Sequence, residues 1–122
     1  MASRYWVGGT ATWDASTTSV WSTTSGGSGG ASVPTSSDDV YFDQAGTYTV
    51  TIGATFTPCA KLTVSASTYT FNSNSILVNG DLFLVSGTVW NQNFVFGGTG
   101  SYTLTTNGVS GGTLYCTSGA TI

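Results

Sequence analysis

Short apolar-x-apolar units recur along most of this chain, and their spacing limits the folds open to it. They are Val50/Ile52, Leu62/Val64, Tyr69/Phe71, Ile76/Val78, Leu82/Leu84, Val89 with Trp90, Phe94/Phe96, Tyr102/Leu104 and Leu114/Cys116. Alternation of this kind puts both apolar side chains on one face of a strand. The units follow one another at about 6–7 residues, with a longer step between the first two. No segment carries a convincing 3.6-residue period, because Gly, Ser or Asn interrupts every stretch long enough for a helix. Three units make about 20 residues. Leu62/Val64, Leu82/Leu84 and Tyr102/Leu104 recur at a step of 20, and Ile76/Val78, Phe94/Phe96 and Leu114/Cys116 at about 18–20. Asn79-Gly80, Gly97-Gly98 and Asn107-Gly108 are expected to supply corners with positive φ. The pattern predicts an all-β fold. Its first form is a short β-solenoid (β-helix) of about three to four coils, in which inward residues of successive coils stack into one core. The alternative is a β-sandwich or jelly roll, whose strands usually recur at about 8–12 residues.

The chain divides near residue 46. Residues 47–122 carry the solenoid-like repeats. Residues 1–46 are irregular and punctuated by aromatics, with a Gly/Ser-rich stretch from Ser25 to Ser32, then Pro34 and the segment Asp38–Asp43. The end of a stack of coils is an exposed apolar edge and needs a cap. Residues 1–46 are the expected cap. Tyr5, Trp6, Trp13, Trp21 and Tyr41 are the candidate cap or interaction aromatics. In one reading they form the cap's own small core, with polar ring atoms reaching water. In the other they form a platform on which sugar rings stack. Trp90, within the repeats, reads as a core or interface aromatic. The last residues, Gly-Ala-Thr-Ile, remain in the repeat pattern without a second cap, which leads to an expectation of self-association.

Charge narrows the chemistry. The chain has no His and no Glu, two cations (Arg4 and Lys61) and five carboxylates (Asp14, Asp38, Asp39, Asp43 and Asp81), and only 6% of it is charged. General acid–base catalysis needs a His or a tuned carboxylate beside its partner. The repeats offer only Lys61 and Asp81 for a glycosidase or lyase pair. No enzyme activity is expected. Asp38, Asp39 and Asp43 form one acidic cluster. It suits a Ca²⁺ site in principle, but the D-D-x-x-x-D spacing does not match an EF-hand loop. Asp side chains capping backbone N–H groups ahead of a strand are the simpler expectation. Neither a metal nor a cofactor is expected. Cys59 and Cys116 lack CxxC spacing and read as reduced, small apolar residues. Gly8-Gly9 and Gly97-Gly98-x-Gly100 read as turns, since neither is completed as a phosphate loop. The net charge of −3 without a basic patch speaks against nucleic acid. No run of 18 apolar residues suggests a membrane-spanning helix. MASRYWVGG has no apolar core of a signal peptide, so either a cytosolic start or a leader already removed is expected, and the two cysteines need no oxidising compartment.

The N-terminal segment has a further feature. Arg4-Tyr-Trp-Val-Gly-Gly-Thr-Ala-Thr-Trp13-Asp14 is followed by Trp21-Ser-Thr-Thr-Ser-Gly-Gly, Ala31-Ser-Val-Pro34 and Asp38-Asp-Val-Tyr-Phe-Asp43. This run resembles the N-terminal module of bacteriophage virion structural proteins, where it precedes β-helical repeats in tail fibres, spikes and related surface proteins. The resemblance covers residues 4–52. The later repeats are similar in style rather than in specific motifs. A looser form of the pattern also resembles the start of repeats in bacterial surface adhesins. The first resemblance implies a virion location, contacts with capsid or tail proteins, often a homotrimer, and no catalysis by this segment. So short a chain fits a capsid decoration protein or the virion-proximal part of a fibre or tailspike. The second implies an extracellular or cell-surface module, with glycan as a possible ligand.

Overall fold

In-register stacking of short strands organises the molecule. The computed structural model describes residues 2–14, 16–53, 57–66, 69–73, 76–85, 88–90, 94–96, 103–105, 107 and 114–116. Within them the chain is all-β, with no helix. The strands are β1 (Ser3–Trp6), β2 (Ala11–Trp13), β3 (Trp21–Ser22), β4 (Asp39–Phe42), β5 (Tyr48–Ile52), β6 (Thr57–Cys59), β7 (Leu62–Val64), β8 (Tyr69–Ser73), β9 (Ile76–Val78), β10 (Leu82–Leu84), β11 (Val89–Trp90), β12 (Phe94–Phe96), β13 (Leu104–Thr105) and β14 (Leu114–Cys116).

They form three sheets. The first has the order β13-β10-β7-β4-β1-β3, the second β11-β8-β5-β2 and the third β14-β12-β9-β6. The first sheet is mixed, because β3 pairs antiparallel with β1. Every other pairing is parallel. β-Sandwiches and jelly rolls pair antiparallel instead. From β4 to β12 the chain visits the first, second and third sheets in turn. Parallel neighbours need a long crossover between them, and here the strands of the other two sheets supply it. The ladder continues through the corners. Ala60 N–H donates to Asp38 C=O at 2.7 Å, Asn79 N–H to Cys59 C=O at 2.9 Å, and Val85 N–H to Val64 C=O at 2.9 Å.

The apolar units whose side chains are described sit where the alternation places them, except that Val89, adjacent to Trp90, lies opposite Thr70 and is 46% exposed. Val40 pairs with Leu62 and Leu62 with Leu82, while Phe42 pairs with Val64 and Val64 with Leu84. All six are buried. Val50 lies opposite Phe71 in the second sheet, and Cys59 opposite Val78 in the third. In the first sheet the intervening residues point outward, Thr63 half-buried and Phe83 38% exposed, whereas Val95 in the third sheet is only 7% exposed. The boundary near residue 46 does not interrupt the hydrogen bonding, since β4 pairs with β1 on one side and β7 on the other.

Three details depart from the sequence expectation. Leu104, rather than Tyr102, lies opposite Leu82. A shift of two residues keeps the same positions on the same face of a strand, so alternation alone could not choose between the registers. Tyr102 and Gly97-Gly98 lie outside the described residues. Asn107 has a positive φ of 49°, as expected of a corner, but neither Asn79 nor Gly80 does. Gly80 serves close approach instead: a Cβ there would stand 2.5 Å from the Ala60 carbonyl oxygen. The long step after Ile52 hides a strand, β6, in Thr57-Pro58-Cys59. Proline normally argues against a strand, but β6 is the outermost described strand of its sheet, where a missing N–H is tolerated.

Leu62→Ala is expected to destabilise the fold by about 2–5 kcal/mol in denaturant titration, since Leu62 is fully buried and stands between Val40 of β4 and Leu82 of β10. Thr63→Ala, on the outward face of the same strand, should change stability by less than about 1 kcal/mol.

Candidate functional site

The aromatic residues of the N-terminal segment divide into two sets. Trp6, Trp13 and Trp21 have no exposed surface. They meet edge to face, Trp6–Trp21 with centroids 5.2 Å apart at 82° and Trp13–Trp21 at 5.1 Å and 75°. Phe42 joins them to the repeats. It stacks on Trp6 at 5.4 Å and meets Phe71 at 4.9 Å and Tyr69 at 5.3 Å. Buried rings have no face to offer a ligand, so the sugar-platform reading does not apply to these three tryptophans. Tyr5 and Tyr41 are half-buried on the outer face of the first sheet. They pair in register and stack at 4.9 Å and 17°. The structure therefore separates the candidates: Trp6, Trp13 and Trp21 are in the core, Trp13 from the second sheet, and Tyr5 and Tyr41 are on the outer face of the first. The side chain of Trp90 lies outside the described residues, though its backbone pairs with that of Phe71.

Hydrogen bonds hold Asp38 and Asp43 at separate turns, while Asp39 Oδ1 is buried without a donor among the described residues. Asp38 is buried and caps the turn before β4, accepting from Thr35 N–H at 2.9 Å, Thr35 Oγ1 at 3.1 Å and Ala2 N–H at 3.2 Å. Asp43 accepts from Ser25 Oγ at 2.6 Å and from Gln44 Nε2 at 2.8 Å. Asp39 lies on the outer face, one position ahead of Val40. Among the described residues no three metal-ligating groups converge. Burial by itself pushes the Asp38 carboxyl up; the hydrogen bonds from Thr35 and Ala2, aided by the Arg4 charge, outweigh it and hold it below the usual range. Asp14 is also held low, by the N–H groups of Ser16 at 2.9 Å and Thr17 at 2.6 Å.

The two cysteines cannot bridge within one chain. β6 and β14 stand three strands apart in the third sheet. At about 4.8 Å per strand that separation is roughly 14 Å, twice the limit of about 7 Å for a disulfide. Cys59 is a free thiol with no exposed surface. Burial, reinforced by the Asp39 carboxylate, pushes it far up, so it resists forming the reactive thiolate.

A cleft opens beside β1 and β3, and the sequence marks none of its walls as a site. It has a volume of about 370 Å³ and is lined by Val7, Gly8, Gly9, Gly26, Gly27, Gln44 and Tyr48. The end of β1, the turn after β3 and the corner between β4 and β5 meet there. Trp6 Nε1 donates to Gly9 C=O at 2.9 Å and ties the floor of the cleft to the buried cap. Tyr48 Oη donates to Ala45 C=O at 3.0 Å and fixes one wall. In sequence Gly8-Gly9 reads only as a turn, and Gly26-Gly27 is one of several further Gly-Gly pairs. The antiparallel pairing of β1 with β3 is what brings these two together.

No protein-family model matches the chain, no curated protein matches it, and no solved structure matches it.

Two measurements check this description. With Asp14 and Asp38 held low in the fold, their stabilisation is complete above the ordinary Asp value of about 3.9 and is lost as pH falls through the lower folded values. Tm should therefore drop in that acid window, and Asp38→Asn should lower Tm at neutral pH and converge with the parent at the acid end. In thiol titration with a disulfide reagent, Cys59 should react only after unfolding, and no reductant should be needed to reveal it.

Proposed function

We propose that the chain is a non-enzymatic structural module of a bacteriophage particle surface. In this reading it is a short β-solenoid with an N-terminal aromatic cap, working through protein–protein contacts. The observation that carries it is the threefold recurrence of parallel pairing in chain order: β4-β7-β10, β5-β8-β11 and β6-β9-β12. Each turn of such a coil rests on the previous one, which makes a stiff rod rather than a hinged enzyme. The N-terminal resemblance supports the location. The hydroxyl-rich, nearly uncharged composition supports action by shape, since only 6% of residues are charged. The carboxylates support the absence of catalysis. Asp14, Asp38, Asp43 and Asp81 all accept hydrogen bonds that hold turns and corners together. Within a particle the module acts as a capsid decoration (cement) protein or as the virion-proximal part of a tail fibre or spike, as a homotrimer bound to capsid or tail components.

One observation favours a second reading, a bacterial surface adhesin module that binds glycans. It is the open cleft beside Tyr48, whose polar walls do not belong to a protein-packing core.

Light scattering after gel filtration, over a range of concentrations, tests the first reading. The expected mass is about three times the 12.5 kDa of one chain, independent of concentration. A stable monomer throughout would count against the trimeric virion module and in favour of the adhesin reading.

A further inference from the structure

We propose that the glycine-floored cleft beside Tyr48 is a binding site for a neutral pyranose, the terminal hexose of a glycan. This goes beyond the virion reading and does not depend on it.

The floor is bare backbone for reasons that are structural at each position. Gly9 and Gly26 have φ of +63° and +65°, where a side chain is strained. A Cβ on Gly8 would collide with Val20, and one on Gly27 with Thr24 Oγ1 and Ser22 Oγ. The position a Cβ would take on Gly9 lies 3.6 Å from both Cδ1 and Cε1 of Tyr48. That is van der Waals distance, so the missing side chain leaves space against the aromatic ring. A pyranose presents an axial C–H face that fits such a ring, and its equatorial hydroxyls need donors and acceptors at the edge.

Gln44 supplies that edge. Its Nε2 is held by Asp43 Oδ1 at 2.8 Å and by Ser25 Oγ at 3.4 Å. Its backbone N–H donates to the Tyr69 hydroxyl at 3.2 Å. The amide is thus fixed, and Oε1 faces Gly26 at 3.4 Å from the Cβ position there. Oε1 receives no hydrogen bond among the described residues and is free to accept a sugar hydroxyl. Charge and size choose the ligand class. No cation lines the cleft, and the adjacent Asp43 carboxylate disfavours anions. Val7 and the Tyr48 ring are its only sizeable apolar surfaces, too little for a lipid or a flat aromatic ligand. A volume of about 370 Å³ lies at the small end of ligand sites and suits one or two sugar rings.

Nitrogen–proton correlation spectra of the full chain, titrated with methyl β-D-glucopyranoside, methyl β-D-galactopyranoside and methyl α-D-mannopyranoside, test the site. At least one should give saturable shifts at the amides of Gly8, Gly9, Gly26 and Gly27 and at the Gln44 side chain, with Kd on the order of 1 mM. Gln44→Ala should weaken that binding by roughly tenfold, with Tm within a few degrees of the parent. Phe83→Ser, on the exposed face of β10, should leave it unchanged. Absence of saturable shifts with all three glycosides overturns the proposal. So do shifts confined to residues outside the cleft, unaltered binding by Gln44→Ala, or tighter binding of glucuronate than of the glucoside. The oligomeric mass is read separately, so failure here and failure of the virion reading are distinguishable.

Discussion

Everything in this molecule rests on side chains stacked in register across parallel strands about 4.8 Å apart. Each inward residue of one strand forms the floor for its counterpart in the next strand of the sheet, as Val40, Leu62 and Leu82 do in the first sheet. A buried aliphatic side chain of this size contributes about 1.5–3 kcal/mol. The contribution depends on the neighbour above and below having the same shape and facing the same way. The outer face obeys the register too. Asp39, Lys61 and Asp81 occupy the positions just ahead of Val40, Leu62 and Leu82, so charges alternate in sign up the sheet. Pairing β4 directly with β10 would set carboxylate beside carboxylate.

Stacking creates an end, and the N-terminal segment closes it with aromatic rather than aliphatic side chains. Phe42 is the junction, in contact with Trp6, Trp13 and Trp21 on one side and with Tyr69 and Phe71 on the other. Rings meeting edge to face fill a broad, irregular end better than a layer of aliphatics would, and gain about 0.5–1.5 kcal/mol per pair beyond area burial. The arrangement has a cost. Nε1 of Trp13 and of Trp21 is buried without a hydrogen-bond acceptor, whereas Trp6 Nε1 reaches Gly9 C=O. Arg4 sits in register with Val40 at the same end, and its guanidinium is held by Ser32 at 2.7 Å and 2.6 Å.

The cleft is a by-product of that closure. Folding β3 back against β1 brings two Gly-Gly turns together, and the bare floor they make is bounded by the corner that carries Gln44 and Tyr48. That corner holds one fixed amide and one fixed ring beside the floor, Gln44 through Asp43 and Tyr48 through Ala45.

The sequence by itself determined the all-β character, the inward and outward alternation and most of the strand positions, because each is a local matter of side-chain period and turn chemistry. Leu62/Val64, Ile76/Val78, Leu82/Leu84, Phe94/Phe96 and Leu114/Cys116 are all strands at the expected places. The step of 20 between Leu62 and Leu82, and the pairings of Ile76 with Phe94 and Phe94 with Leu114, could be read directly from spacing. Tertiary structure alone decided the pairing of Leu82 with Leu104, since two residues of slippage leave every face unchanged. It also decided that Pro58 could lie in a strand, because only the sheet order makes β6 an edge. Which face of β1 turned inward was likewise non-local: Trp6 is buried because β4 and β3 set it against Phe42 and Trp21, and alternation then leaves Tyr5 on the outer face. The cleft was least legible of all. Val7, Gly26, Gln44 and Tyr48 carry no shared motif, and they meet only because an antiparallel return of the chain sets distant turns side by side.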